Sequence, residues 1–267
     1  MQQADSDYTK IDELFGILSN VTRLEILKIC SKQHCSVQEL ACSLKLPQYV
    51  INKHLSLLTD ESLIEKNSRT YYLSSYGSLI LKKCSPISFL NNNQKFFEDH
   101  DFCEIPNQFI QRIGELSQAQ LIKGAHIMYS HWTGICSEAK KYIYCIFSYP
   151  PILVSEPIKQ KVSEGIEVKL LFAKGSKNPE STEFVRNLRL HGNNLQHNLE
   201  KRRLDKVLPN MILTDKESAL MFPDGKGATD FHSNFVSSNQ EFCRWCLDFF
   251  NYEWENGEPF SRFKTSL

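Results

Sequence analysis

The sequence predicts an α/β protein in which an N-terminal winged helix-turn-helix is joined by a helical connector to a C-terminal α/β domain. Two observations lead to this fold class. Short amphipathic helices followed by a strand–turn–strand segment fill the first part of the chain, which is the order of a winged helix-turn-helix. Beyond residue 119, strand-like and helix-like runs alternate, which favours a layered α/β architecture with some parallel pairing.

Composition is consistent with more than one folded domain. The chain has 267 residues, of which 41% are hydrophobic, so sizeable cores can form. We expect the winged helix-turn-helix at 1–85, the connector at 86–118 and the α/β domain at 119–267. The formal net charge is +0, but residues 45–83 carry six basic against three acidic side chains. Any positive surface is therefore local and modest.

The helix-turn-helix signal begins with a capping box. Ser36 and Glu39 have the spacing at which each side chain bonds the backbone N–H of the other, and this opens the helix "VQELACSL". The turn "KLP" follows, and Pro47 suits a helix start because no N–H is needed there. The next helix, the predicted recognition helix, covers residues 48–60.

The recognition helix divides into two faces. Ile51, Leu55 and Leu58 fall on one apolar stripe, as a core-facing surface requires. The other side offers groups that hydrogen-bond base edges in the major groove. These predicted base-facing residues are Gln48, Tyr49, Asn52, Lys53 and Ser56. An ordinary surface helix whose polar residues face water is the alternative, and the neighbouring motifs favour DNA contact.

A hairpin over residues 63–74 supports the same interpretation. Its tip "KNSRT" is polar and basic, and a wing of this kind lies along the phosphate backbone. The alternative is a solvated turn. The residues expected to reach phosphate are Lys66, Arg69, Thr70 and Tyr71.

Three stretches, "LSNVTRLEILKIC", "ELACSLKLPQYVINKHLSLL" and "LIEKNSRTYYLSSYG", resemble the winged-helix repressors of the arsenic-repressor class. Farther on, "FFEDHDFCEIPNQFIQRIGEL", "EGIEVKLLF" and "MILTDKESALMFP" resemble archaeal regulators whose sensor domain is named after the methanogenesis regulatory protein. The resemblance implies a cytoplasmic, homodimeric transcription regulator that binds double-stranded DNA and receives a small-molecule effector in its C-terminal domain.

Some positions depart from that pattern. Val21 replaces a common helix-starting Pro, and Ser62 replaces the usual Gly after the recognition helix. Ser36 and Gln38 stand where the arsenic-repressor class has paired cysteines, so its metal site is not carried over. We predict no metal and no cofactor.

The C-terminal domain has a candidate effector pocket. His126, His131 and Trp132 on one helix, with Tyr144 on the next strand, are suited to line a ligand site near strand ends. Core aromatics and surface histidines are the alternative for each. The sensor domain of the resembled family is compared with the phospholipase D fold, whose His-x-Lys nucleophile motif this chain lacks. We therefore expect no catalytic residues and no enzyme.

Two other functional hypotheses remain. Cys243 and Cys246 form a Cys-x-x-Cys motif that suits a redox- or metal-responsive regulator, although their position inside an aromatic helix favours core filling. A winged helix can also serve as a protein–protein adaptor. The start "MQQADSDYTK" has no apolar signal core, and no apolar run is long enough to cross a membrane. These features predict a soluble chain.

Overall fold

The computed structural model describes residues 2–173, 183–184, 186–188 and 197–259 of the chain. They divide between two compact units, residues 1–87 and residues 88–267. The class is α/β, with a winged helix in the first unit and a sheet-rich second unit, as the sequence predicts. Within the described ranges, no helix combines the length and the apolar character that a membrane span needs.

The first unit combines helices with a small antiparallel sheet of order β1-β3-β2. Helix α5 begins in this unit and continues past its boundary. The helices are α1 (Gln2–Leu18), α2 (Val21–Cys30), α3 (Val37–Leu44), α4 (Gln48–Asp60) and α5 (Ser75–Asn92), and the strands are β1 (Cys35–Ser36), β2 (Ile64–Asn67) and β3 (Thr70–Leu73).

The predicted capping box at the start of α3 is confirmed. The Ser36 hydroxyl accepts from the Glu39 backbone N–H at 3.3 Å, and the Glu39 carboxylate accepts from the Ser36 backbone N–H at 2.7 Å. The Ser36 backbone N–H and hydroxyl both donate to the Glu39 carboxylate, and they lower the pKa of Glu39 because they favour its charged form. The box pairs two backbone N–H groups that the first turn of α3 would otherwise leave without a partner.

Three non-glycine residues have left-handed backbone at the joints of this unit. Lys45 (φ 55°) ends α3, Ser62 (φ 57°) follows α4, and Ser68 (φ 54°) lies at the tip of the β2–β3 hairpin. Each such residue costs roughly 1 kcal/mol, because its Cβ crowds the following carbonyl oxygen. The missing glycine noted at position 62 in the sequence therefore has a structural cost.

The core of the first unit forms where α2, α3, α4 and the hairpin meet. A cluster of apolar side chains is excluded from water there. Each buried aliphatic side chain contributes about 1.5–3 kcal/mol, so this cluster fixes the relative placement of the helix-turn-helix and the hairpin. Its fully buried members include Ile26, Leu27, Leu40, Ile51, Leu55, Leu58, Leu63 and Ile64.

The base of the hairpin is closed by one buried serine and one glycine. The Ser74 hydroxyl donates to the Ser62 carbonyl at 2.6 Å and accepts from the Gly77 N–H at 2.8 Å. This holds the start of α5 against the beginning of the hairpin. A Cβ added to Gly77 would lie 2.0 Å from the backbone carbonyl oxygen of Leu63. Only glycine fits at that position.

The second unit is built around one large mixed sheet. Within the described ranges its helices include α6 (Gln94–Glu98), α7 (Asn107–Ile110), α8 (Ala125–Glu138), α9 (Ser155–Ser163) and α10 (Gln240–Asn256), with 3₁₀ turns at Ile113–Gln118 and Ile152–Val154. Its strands are β4 (Gln120–Lys123), β5 (Tyr142–Phe147), β6 (Glu167–Phe172), β7 (Leu199–Arg203), β8 (Asn210–Thr214), β9 (Ser218–Met221), β10 (Ser233–Ser237) and β11 (Glu258–Pro259).

The strand order is β11-β7-β6-β5-β8-β9-β10-β4. Strands β5, β6 and β7 pair in parallel, and the other pairs are antiparallel. The parallel trio needs crossover connections, and α9 supplies the one between β5 and β6. The predicted α/β layering with some parallel pairing is confirmed.

Each face of this sheet has its own core. Beneath α8 and α9, Trp132 and Ile158 pack on alternate strand residues such as Ile143 and Val168. We call this the α8 face. On the opposite side, which we call the α10 face, Trp245 and other aromatic side chains of α10 cover the remaining strand residues. Alternation along each strand therefore decides which core a side chain enters.

The stretch expected as a helical connector, residues 86–118, does contain helices. From residue 88 onward it belongs to the second unit. Phe96, Phe109, Ile113 and Leu116 are buried in the α10-face core. In the described structure this stretch is thus one wall of the second unit's core, a role that its amphipathic pattern did not distinguish from that of a linker.

Gly77→Ala tests the close approach at the base of the hairpin. The new methyl group would overlap the Leu63 carbonyl, so we expect a loss of about 1–3 kcal/mol in the free energy of unfolding. Denaturant unfolding of the full chain measures it. Gly16→Ala is the control, because nothing lies within 4 Å of the added Cβ on the exposed side of α1. That variant should gain up to about 1 kcal/mol from helix propensity. A Gly77→Ala protein as stable as the parent would contradict this account.

Candidate nucleic-acid interface

Helix α4 packs against the core of the first unit through one apolar face. Ile51, Leu55 and Leu58 are at most 1% exposed, and they recur at the i, i+4, i+7 spacing that defines one stripe of a helix. The helix begins after Pro47, as the sequence predicts. Burial of this stripe determines which side of α4 can face outward.

The opposite side of α4 is polar and exposed. No hydrogen bond to another described residue engages the side chains of Gln48, Asn52 or Lys53, and the Tyr49 ring is 76% exposed. Ser56 makes only a long contact of 3.5 Å to Asp60. The exposed set is Gln48, Tyr49, Asn52, Lys53 and Ser56. The structure thus brings all five predicted base-facing residues together on one surface.

His54 lies at the border between the two faces of α4. It is half-buried, and its Nδ1 has no hydrogen-bond partner among the described residues. Burial lowers the pKa of His54, and the charges of Arg23 and Lys53 lower it further. The imidazole therefore packs as a neutral ring at the edge of the proposed interface.

The hairpin places its basic ends at the surface. Lys66 and Arg69 are exposed, and Thr70 is half-buried with its hydroxyl donating to the Asn67 carbonyl at 3.1 Å. Tyr71 is only 9% exposed and belongs to the core of the first unit, because it shares a strand face with apolar Leu73. The Tyr71 ring is thus a core residue, and the prediction that Tyr71 reaches phosphate now rests on its hydroxyl alone.

A contact that the sequence pattern did not predict joins the two strands on the outer face of the hairpin. Glu65 pairs with Tyr72 across the strands, and the Tyr72 hydroxyl donates to the Glu65 carboxylate at 2.6 Å. This bond and the carboxylate charge raise the pKa of Tyr72. The ring of Tyr72 stacks on His34 with centroids 4.8 Å apart. The alternation of side chains along the two strands could have predicted this contact, because it places Tyr72 on the opposite face of the hairpin from Tyr71.

In the second unit the four residues proposed for an effector pocket are not brought together. His126 is exposed and His131 half-buried on the outer side of α8, whereas Trp132 is fully buried in the α8-face core. Tyr144 lies on the α10 face, stacked between Tyr142 and Phe250. The sheet itself separates Tyr144 from the other three.

His126 and His131 line a shallow cleft of about 430 Å³ on the outer side of α8. His131 Nε2 lies 3.0 Å from a Glu217 carboxylate oxygen, so the two side chains pair across the cleft. Gly134 leaves its floor open. The lining residues are His126, Ile127, Ser130, His131, Gly134, Ile135, Glu138 and Glu217.

The cysteines have the properties of core residues. Cys246 is fully buried, and desolvation raises its pKa well above that of a free thiol. Burial raises the pKa of Cys243 too. Because the thiolate is the reactive form, neither side chain is activated. Within the described residues no group of three or more His, Cys, Asp or Glu side chains is arranged to hold a metal.

Comparison with known proteins identifies the N-terminal domain. Residues 22–91 match the winged helix-turn-helix family, which agrees with the helix order, the hairpin and the two-faced helix α4. Among curated proteins, no sequence relative matches the chain.

Solved structures give distant likenesses. The archaeal chromatin protein TrmBL2, described as having a novel mode of DNA binding, is 15% identical with a TM-score of 0.41 over 90% of this chain and 94% of its own. NucT from Helicobacter pylori is 12% identical with a TM-score of 0.42 over 54% of this chain and 99% of its own. Reduced HlyU from Vibrio cholerae is 26% identical with a TM-score of 0.29 over 33% of this chain and 97% of its own. At these scores none of them bears on function.

His54 makes the first unit sensitive to acid. Its pKa is lower in the folded chain than the ordinary 6.5, so the unfolded chain binds the proton more readily. Stability that is present above pH 6.5 is therefore lost as the pH falls towards the folded pKa. We expect the thermal midpoint of the parent to fall more steeply with acidification below that pH than the midpoint of His54→Gln. Parallel pH profiles of the two proteins would rule this out.

Proposed function

We propose that this chain is a transcription regulator that binds double-stranded DNA in a sequence-specific manner through its winged helix-turn-helix. The observation that carries the proposal is the division of α4, which buries Ile51, Leu55 and Leu58 and leaves five hydrogen-bonding or aromatic side chains outward. In this fold such a helix enters the major groove.

The exposed groups match the chemistry of base edges. Asn52 and Gln48 are suited to pair with adenine, and Lys53 is suited to guanine. Tyr49 and Ser56 are suited to a thymine methyl or to phosphate. In the hairpin, Lys66 and Arg69 would lie along the phosphate backbone and add affinity without sequence information.

Charge bears on how tightly the domain holds DNA. The whole chain is neutral, and residues 45–83 carry only six basic against three acidic side chains. Few DNA phosphates would therefore be neutralised. The affinity should then depend on salt less steeply than that of a strongly basic protein. Base contacts would carry a correspondingly larger share of the binding energy.

A homodimer is part of the proposal. Tyr8, Ile11 and Phe15 are 75%, 46% and 55% exposed, and they recur at helical spacing on one side of α1. An apolar stripe that faces solvent on a single helix suits a second copy of the same chain. Two recognition helices would then reach major grooves about one turn apart.

An effector bound by the second unit completes the proposal. Ligands in α/β layers bind near the carboxyl ends of strands, and the second unit has such a sheet. An effector that binds one arrangement of the dimer better than another would shift the DNA affinity by its differential affinity for the two.

The recognition helix is tested by Asn52→Ala and Lys53→Ala on a duplex selected from a random library by the parent. Each lost bidentate base contact should cost about 1–3 kcal/mol, which is roughly 5- to 150-fold in Kd. Fluorescence anisotropy measures it. Lys28→Ala removes an exposed charge from α2 and is the matched control. If both α4 variants bind like Lys28→Ala, the assignment of α4 is wrong.

Hairpin variants separate the two kinds of contact in the same assay. Lys66→Ala and Arg69→Ala should weaken selected and scrambled duplexes by similar factors, and each should reduce the salt slope by about one. Binding by the parent that has neither sequence preference nor salt dependence would favour the protein-adaptor alternative.

Phe15→Glu tests the homodimer. A carboxylate in the middle of the apolar stripe of α1 should shift the protein to monomer, because charge burial in an interface is costly. Sedimentation velocity gives the mass. Lys10→Glu adds the same side chain on the opposite side of α1 and should leave the dimer intact. A parent that sediments as a monomer at all concentrations would refute this part of the proposal.

A further inference from the structure

Three buried polar side chains on the α8 face of the second unit have polar atoms without a hydrogen-bond partner. Asn210, Asn234 and Trp132 are each at most 1% exposed. Among the described residues, no partner accepts from Asn210 Nδ2 or Trp132 Nε1, and neither Nδ2 nor Oδ1 of Asn234 is hydrogen-bonded. Buried polar groups are nearly always paired in native structures. Three such side chains on one face therefore need a reason.

The strand register places the two amides in one row across the sheet. Asn210 pairs with Met221 of β9. Phe235 pairs with Leu220, so the residue before it, Asn234, comes opposite Met221 from the other side. Strands lie about 4.8 Å apart, so the two asparagines are about 10 Å apart at their backbones and both point to the α8 face. Met221 stands between them in this row and is buried on the same face, so a ligand that reaches both amides would lie over the methionine side chain.

One end of this row is already oriented. The side-chain oxygen Oδ1 of Asn210 accepts from the backbone N–H of Ser148 at 2.7 Å. The NH₂ group of the same side chain is left as an unused donor. Trp132 approaches the same face from α8, and its ring centroid is 6.2 Å from that of Phe147. Ser148 directly follows β5, so the row lies at the carboxyl end of a parallel strand.

Three aromatic rings connect this region to the surface. Phe231 lies 6.2 Å from Tyr129 and 6.4 Å from Tyr149, measured between ring centroids. Tyr149 is 38% exposed, while the other two rings are half-buried. Each ring is close in sequence to a polar group of the site: Tyr129 precedes Trp132 by one helical turn, Tyr149 follows Ser148, and Phe231 precedes Asn234. Tyr129 and Phe231 pack against the same α8-face core, and Tyr149 extends this aromatic row to the surface.

We propose that Asn210, Asn234 and Trp132 form a binding site for a small hydroxycarboxylate or hydroxycarboxamide. The NH₂ groups of both asparagines and the indole N–H all donate, so the ligand must present acceptor oxygens, as a carboxylate or carboxamide does. Asn234 Oδ1 is the one acceptor, and it selects a ligand that also carries a hydroxyl donor. The proposal rests on the proposed function only in calling this ligand the effector.

The test uses glycolate, glycolamide and acetate as probes with the full-length protein in the absence of DNA. Isothermal calorimetry should detect glycolate or glycolamide. The stronger of the two tells whether the site prefers the anion or the neutral amide. Acetate lacks the hydroxyl donor and should bind about tenfold more weakly than glycolate. Equal binding of acetate would overturn the role of Asn234 Oδ1.

Asn234→Leu is the decisive variant. Leucine has a similar shape and removes both unpaired groups, so the ligand-free protein should keep or raise its thermal midpoint while probe binding is lost. Ser218→Ala changes another buried polar residue, on the α10 face of the neighbouring strand, and should bind as the parent does. Retained binding in Asn234→Leu overturns the proposal.

Failure of this site and failure of the proposed function remain distinguishable. A parent that binds none of the three probes has amides that hold only water, and the proposal is then wrong whatever the DNA assay gives. A parent that binds glycolate or glycolamide but no DNA keeps the site and loses the regulator.

Discussion

The first unit depends on the burial of three side chains, Ile51, Leu55 and Leu58. Together they contribute on the order of 5 kcal/mol, which is comparable to the whole net stability of a small domain. Because they lie on one stripe, their burial also fixes the rotation of α4 about its axis. The polar face of that helix is therefore oriented by the core. Among the described residues, the one hydrogen bond made by its five side chains is the long contact of Ser56 to Asp60.

In the second unit the corresponding constraint is the two-sidedness of the sheet. Alternate residues of β5 enter different cores, so Ile143 and Tyr144 lie on opposite sides although they are adjacent in sequence. The aromatic α10 face is closely packed, with Trp245 stacked on Phe249 at 5.4 Å. The α8 face carries the unpaired amides. The α8 face thus combines a hydrophobic core with the proposed ligand site.

Local patterns made much of the first unit predictable from sequence. The capping box at Ser36 and the apolar stripe of α4 are properties of a few consecutive residues, and both are present in the structure. Which of Tyr71 and Tyr72 enters the core was harder to predict, because a shift of one residue along a strand moves a side chain from the core face to the surface. The predicted effector pocket grouped Trp132 with Tyr144 because the two are close in sequence. Only the sheet topology shows that they lie on opposite faces of the sheet. Asn210 and Asn234 are likewise brought into one row by pairing that no local pattern encodes.

The left-handed residues at the joints have a further consequence. Lys45, Ser62 and Ser68 stand before α4, after α4 and at the hairpin tip. A glycine at any of these joints would explore a wider range of backbone angles than a residue with a Cβ does. The backbone at these three joints is therefore less flexible than it would be with glycine. Under the proposed function, α4 and the hairpin would meet DNA as one pre-shaped body, and adaptation to different sequences would fall to side-chain rotamers and to the bending of the duplex.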